Sequence, residues 1–119
     1  MRFGPWYPLA DAGDHAPASE GVLQLKLASG LIDYPRGKSA MVHYAHTPNV
    51  RAAALALANQ ARDPEVDRLR IAFGAATRPA FAGLVCRHLI ELDPVIDLAA
   101  FYAKLEAEFV RRFGTSPHP

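Results

Sequence analysis

From Leu23 to Leu27 apolar and polar residues alternate without a break, and a second strand-like run, Ser39 to Ala45, follows between Gly37 and Pro48. A period of two puts Leu23, Leu25 and Leu27 on one face of a half-buried strand. The residues between the runs carry turn signals at Ser29-Gly30 and at Pro35-Arg36-Gly37. The runs are therefore expected to pair antiparallel as a long hairpin, which Leu31 to Tyr34 extends. A strand pair with one apolar face needs a cover, and the rest of the chain has to supply it.

The cover is readable as helices. After Thr47-Pro48-Asn49, the run Val50 to Ala61 is dominated by alanine and leucine, with Thr47 or Asn49 placed to cap it. Asp63-Pro64-Glu65 breaks that helix, and Arg68 to Gly74 alternates again, predicting a third strand with Leu69, Ile71 and Phe73 on one face. Between Pro79 and Leu92 the apolar residues Phe81, Leu84, Val85 and Leu89 recur with His88 at helical spacing, predicting a helix that Asp93-Pro94 ends. A last helix is expected from Asp97 to Arg112, with a stripe of Leu98, Phe101, Leu105, Phe109 and Val110 and charges that suit its dipole. The expected fold is α+β: a small three-stranded, largely antiparallel sheet covered by helices, in the order β-β-α-β-α-α. Residues 1–20 mix prolines and glycines with Trp6, Tyr7 and Leu9, which predicts an ordered arm without regular structure, ahead of one domain over residues 21–119.

Composition narrows the function classes. A chain of 119 residues, half hydrophobic and 21% charged, suits one globular domain. A formal net charge of +1 gives no broad basic field, so any contact with nucleic acid has to be local. The single cysteine, Cys86, excludes an internal disulfide and fits a reducing compartment, so a cytoplasmic location is expected. Residues Met1 to Leu9 resemble neither a signal peptide nor a membrane span, and no membrane partner is expected.

Gly21-Val22-Leu23 on a first strand, His43-Tyr44-Ala45 on a second, a helix opening at Asn49-Val50-Arg51, a third strand and Leu105-Glu106 on a late helix follow one another in an order that resembles the GIY-YIG nuclease domain. The resemblance covers roughly residues 17 to 118. It implies a DNA endonuclease in which a glutamate holds magnesium or manganese, the metal polarises the scissile phosphate, and a tyrosine helps take a proton from the attacking water. Carried over by position, Leu23 stands at the first tyrosine, His43 or Tyr44 at the second, Ala53 at the arginine with Arg51 close by, and Glu106 at the metal ligand with Glu108 as fallback. Strand alternation sends His43 and Tyr44 to opposite faces, so one of them at most serves the site.

The replaced positions open an alternative: a catalytically inactive GIY-YIG-like module that binds nucleic acid or a protein partner. Tyr34, Arg36 and Lys38 form a small basic-aromatic group at the hairpin, suited to a phosphate backbone and a stacked base, and the Trp6-Tyr7 arm offers a second surface. Simpler roles exist for each residue. Glu106 on a helix face pairs readily with Lys104 or Arg112, and a strand histidine such as His43 is often satisfied by a backbone group. A third possibility is an α+β interaction domain that dimerises through its alanine-rich helix. Gly37-Lys38-Ser39 is no phosphate loop, because Ile32 stands where the first glycine belongs and a strand follows instead of a helix.

Overall fold

The computed structural model describes residues 1–60 and 84–117. In chain order it contains β1 (Arg2–Phe3), β2 (Tyr7–Pro8), a 3-10 turn (Leu9–Asp11), α1 (Ala12–His15), β3 (Gly21–Leu27), β4 (Ile32–Tyr34), β5 (Gly37–Ser39), β6 (Met41–Thr47), α2 (Val50–Gln60), β7 (Leu84–Glu91) and α3 (Leu98–Phe113). The α+β class is as expected. The expected third strand at Arg68 to Gly74 lies outside the described residues.

The sheet differs from the expectation in size and in one of its members. It has five strands in the order β1-β7-β3-β6, with β2 also on β7. β3 pairs antiparallel with β6 on one side and with β7 on the other. The segment expected to be a helix up to Leu92 is thus strand β7 from Leu84 onward. Gly21 to Leu25 are buried in succession, so both faces of the central strand are covered, and β7 beside it also carries apolar residues on both faces. In β7 the apolar residues lie on both faces with Arg87 and His88 between them, so no period of two marks it, and they fall by chance at helical intervals.

The arm is also more regular than expected. β1 and β2 pair with β7, with Phe3 opposite Leu89 and Tyr7 opposite Cys86, so the first residues complete the sheet. Leu31 to Tyr34 does not extend the main hairpin. Its strand, β4, pairs with β5 as a separate two-stranded ribbon.

The helices sit where capping chemistry puts them. Asn49 Oδ1 accepts from the Ala52 amide at 3.0 Å to open α2, and Val50, Ala54 and Ala58 bury one face of it. Their small size lets the helix lie close: a Cβ on Gly21 would stand 2.8 Å from Val50 Cγ2. Asp97 caps α3 through the Ala99 amide, and Gly114 ends it with φ of 88° in the left-handed region. A Cβ there would also come within 3.0 Å of Pro35 Cβ, so glycine both stops the helix and admits the ribbon beside it. Tyr34 and Tyr102 donate from their hydroxyls to the carbonyls of Met41 and Tyr44 on β6, which blunts that edge of the sheet. Among the described residues, no helix is long and apolar enough to cross a membrane.

Candidate functional site

Several of the positions carried over from the nuclease resemblance take part in the packing and hydrogen bonds of the fold. Leu23, at the first tyrosine position, is fully buried in the central strand. His43 lies opposite Leu25 and Tyr44 opposite Gln24, so alternation parts them as expected. The Tyr44 ring meets Phe109 of α3 edge-on at 5.7 Å, and burial raises its hydroxyl pKa while Arg87 opposes the shift. Burial lowers the His43 pKa, and the Glu106 carboxylate pulls it the other way.

Glu106 itself is engaged by hydroxyls. Ser116 Oγ donates to Glu106 Oε1 at 3.1 Å. The Glu106 carboxylate is also the main reason that the Tyr102 pKa is pushed up to about 12. Among the described residues, no three His, Cys, Asp or Glu side chains are grouped to hold a metal ion. Arg51 Nε donates to the Ala16 carbonyl at 2.8 Å and its amide to Pro17, which fastens α2 to the segment before β3.

A different grouping forms where the β4–β5 ribbon meets the end of α3. Tyr34 is buried: its hydroxyl donates to Met41, its ring is edge-on to Phe109 at 5.1 Å and lies 5.8 Å from Phe113, and its pKa is pushed up to about 12, chiefly by burial. It is a core residue of the ribbon. Arg36, by contrast, reaches across the chain. Its Nη1 donates to the Arg111 carbonyl at 2.9 Å, and its amide donates to the Phe113 carbonyl at 3.0 Å. These bonds bring the exposed Arg36 to the end of α3, where Arg111 and Arg112 are exposed as well. Lys38 lies 3.7 Å from Asp33, an exposed pair of little energetic weight. The sequence suggested Arg36 and Lys38 but gave Arg111 and Arg112 roles on their own helix only, with its dipole and, for Arg112, with Glu106. Nothing local in the sequence announces that the ribbon folds back on that helix end.

Sequence reasoning also missed a cluster on β7, because that segment reads as helix. Arg87 Cζ lies 4.5 Å from the ring centroids of both Phe3 and Trp6, and Arg87 Nε donates to Gln24 Oε1 at 2.7 Å. Lys26 Nζ stands 4.3 Å from the Trp6 centroid. This arrangement satisfies the buried Gln24 and holds the arm down. On the neighbouring positions of β7, the Tyr7 hydroxyl bonds to His88 Nδ1 at 2.9 Å and the Tyr7 ring stacks on His15 at 4.9 Å. Cys86 beside them is buried, and burial pushes its thiol up to about 11.

The histidines give the fold a pH dependence with a definite sign. Burial lowers the pKa of His43 and, with help from His15, that of His88, below the ordinary 6.5. The unfolded chain then binds these protons more readily than the folded one. Stability is complete above about pH 6.5 and falls as the pH drops from there through the folded values. Urea unfolding between about pH 7 and pH 5 is expected to show this loss, and His88→Asn together with His43→Asn to flatten it relative to their own value at neutral pH. An unchanged slope in the double variant would assign the acid sensitivity elsewhere.

Comparison with family models, with curated proteins and with solved structures finds no match for this chain.

Proposed function

We propose that this chain is a GIY-YIG-like domain without nuclease chemistry, which binds nucleic acid through the basic edge made by Arg36, Lys38, Arg111 and Arg112. The observation that carries this reading is the pair of bonds from Arg36 to the Arg111 and Phe113 carbonyls, which brings the exposed Arg36 to the helix end that carries the exposed Arg111 and Arg112. Local positive charge matters here because the net charge of +1 supplies no general attraction. Three features support loss of catalysis. Leu23 is buried and has no proton to transfer, Arg51 is bonded to the Ala16 carbonyl, and Glu106 accepts from Ser116.

The other reading is an altered magnesium- or manganese-dependent DNA endonuclease that uses His43 or Tyr44, Arg51 and Glu106. Both readings are tested together by incubating labelled DNA with the protein in magnesium or manganese, beside a Glu106→Ala control, while measuring binding by fluorescence anisotropy. The expected result is DNA binding that weakens steeply with salt and no cleavage in any metal. Cleavage abolished by Glu106→Ala would overturn the first reading in favour of the second. A protein partner becomes the better candidate if DNA binding is absent or independent of salt.

A further inference from the structure

We propose that Lys26 and Arg87 bind a phosphate group on the sheet face beside Trp6, a site that shares no residue with the basic edge at the end of α3. The register of β3 and β7 sets Gln24 opposite Arg87, and Lys26, two residues on from Gln24, lies on the same face. The heads of both side chains converge on one ring: Lys26 Nζ stands 4.3 Å and Arg87 Cζ 4.5 Å from the Trp6 centroid. Laid end to end, those distances place the two cations no more than about 9 Å apart. Lys26, Arg87, Trp6 and Phe3 are half-buried, so each keeps part of its surface at solvent.

The cluster offers more than is needed to hold the arm. One cation over Trp6 serves that purpose, and a second beside it adds repulsion between like charges. Arg87 is also held in place before any ligand arrives. Its Nε donates to Oε1 of Gln24 at 2.7 Å, Gln24 is 3% exposed, and the Phe3 ring lies 4.5 Å from Cζ, as the Trp6 ring does. A guanidinium fixed in this way loses little freedom on binding, and its two terminal nitrogens carry the paired N–H groups that match phosphate oxygens. Lys26 adds a second point charge. A phosphate that accepts ionic hydrogen bonds of about 2.8 Å on both sides spans about 8 Å from donor to donor, which suits the separation of the two heads. Its charge of about −2 meets two cations, where a carboxylate brings one negative charge. Burial lowers the Arg87 pKa, and an anion in contact with it opposes that shift. The acid farther along the same strand, Glu91, is engaged by Arg2 at 2.8 Å.

Trp6 is the one tryptophan of the sequence, so its fluorescence reports on this site. The test titrates the whole chain with inorganic phosphate, with a nucleoside 5′-monophosphate, with a DNA oligonucleotide and with acetate, at an ionic strength held constant with chloride, and follows each titration by Trp6 emission and by calorimetry. A saturable response to phosphate with none to acetate is expected. Lys26→Met keeps an apolar stem on the ring and is expected to raise the half-saturating phosphate concentration about tenfold or more. Arg87→Lys keeps the charge, gives up the fork and is expected to weaken binding as well, with thermal melts confirming that both variants fold. A tighter response to the nucleotide or to DNA than to free phosphate would identify the source of the group. No saturable signal by either measurement, an equal response to acetate, or titrations unchanged in both variants would overturn the proposal and reduce the two cations to fasteners of the arm.

Discussion

Replacing Phe109 by alanine is expected to lower the free energy of unfolding by about 3–5 kcal/mol, the range for removing a large aromatic side chain from a packed core. Phe109 is 5% exposed and is the buried residue of α3. Its ring lies 5.1 Å from that of Tyr34, 5.7 Å from that of Tyr44 and 4.5 Å from that of Phe113, so it joins the helix, the β4–β5 ribbon and β6 in one aromatic group. Neither of the nearest rings is free to collapse into the gap, because Tyr34 is held through its hydroxyl and Phe113 sits at the end of the helix beside Gly114. A loss of this size is a large fraction of the stability of an ordinary domain. Urea denaturation checks it: the midpoint should fall by the corresponding amount with little change in slope. A loss below about 1 kcal/mol would mean that the ribbon and helix do not depend on this contact.

The second large effect is on binding. Arg111→Glu combined with Arg112→Glu is expected to weaken duplex DNA binding by about a hundredfold or more at low salt, because attraction at two phosphates becomes repulsion. Acidic residues at a helix C-terminus also oppose the dipole, by about 0.3–1 kcal/mol each. The neutral pair Arg111→Gln and Arg112→Gln separates these effects, since it removes the phosphate contacts with a smaller penalty at the helix end. An intermediate affinity for the neutral pair, with thermal melts near that of the unaltered chain, would tie the loss to charge. Affinity unchanged in both variants would remove the basic edge from the function.

The legible parts of this fold are those governed by local chemistry. The alternation from Leu23 to Leu27, the cap at Asn49, the alanine-rich α2 and the stop at Gly114 all act within a few residues, and each is found where the sequence puts it within a residue or so. Within the predicted stripe of α3, Phe109 is buried while Val110 remains 37% exposed, because the helix meets the sheet along a narrower line than its apolar width suggests. Strand β7 was illegible because its apolar residues lie on both faces, interrupted by Arg87 and His88, and so carry no period of two. β1 and β2 were hidden for another reason: such short segments acquire strand geometry only by pairing with β7. For the candidate site, Arg36 and Lys38 were visible as a local basic group. The burial of Tyr34 and the arrival of Arg111 and Arg112 depend on the ribbon folding back onto α3, a long-range event that no spacing records. The positions that the nuclease resemblance assigns were easy to number, yet the structure gives several of them other work, such as the bond from Arg51 to Ala16.

The pairing of the arm with β7 also sets an order of events. Tyr7 and His88, joined by a hydrogen bond, are separated by 81 residues in the chain. During synthesis from the N-terminus, β1 and β2 therefore emerge long before the strand that receives them, while β3, the turns and β6 can already pair. Closing so long a loop comes late and slowly, as contacts of high sequence separation generally do. Until then β3 presents an unpaired edge on the side that β7 will occupy, and the nascent chain is at its most vulnerable to joining with another copy of itself.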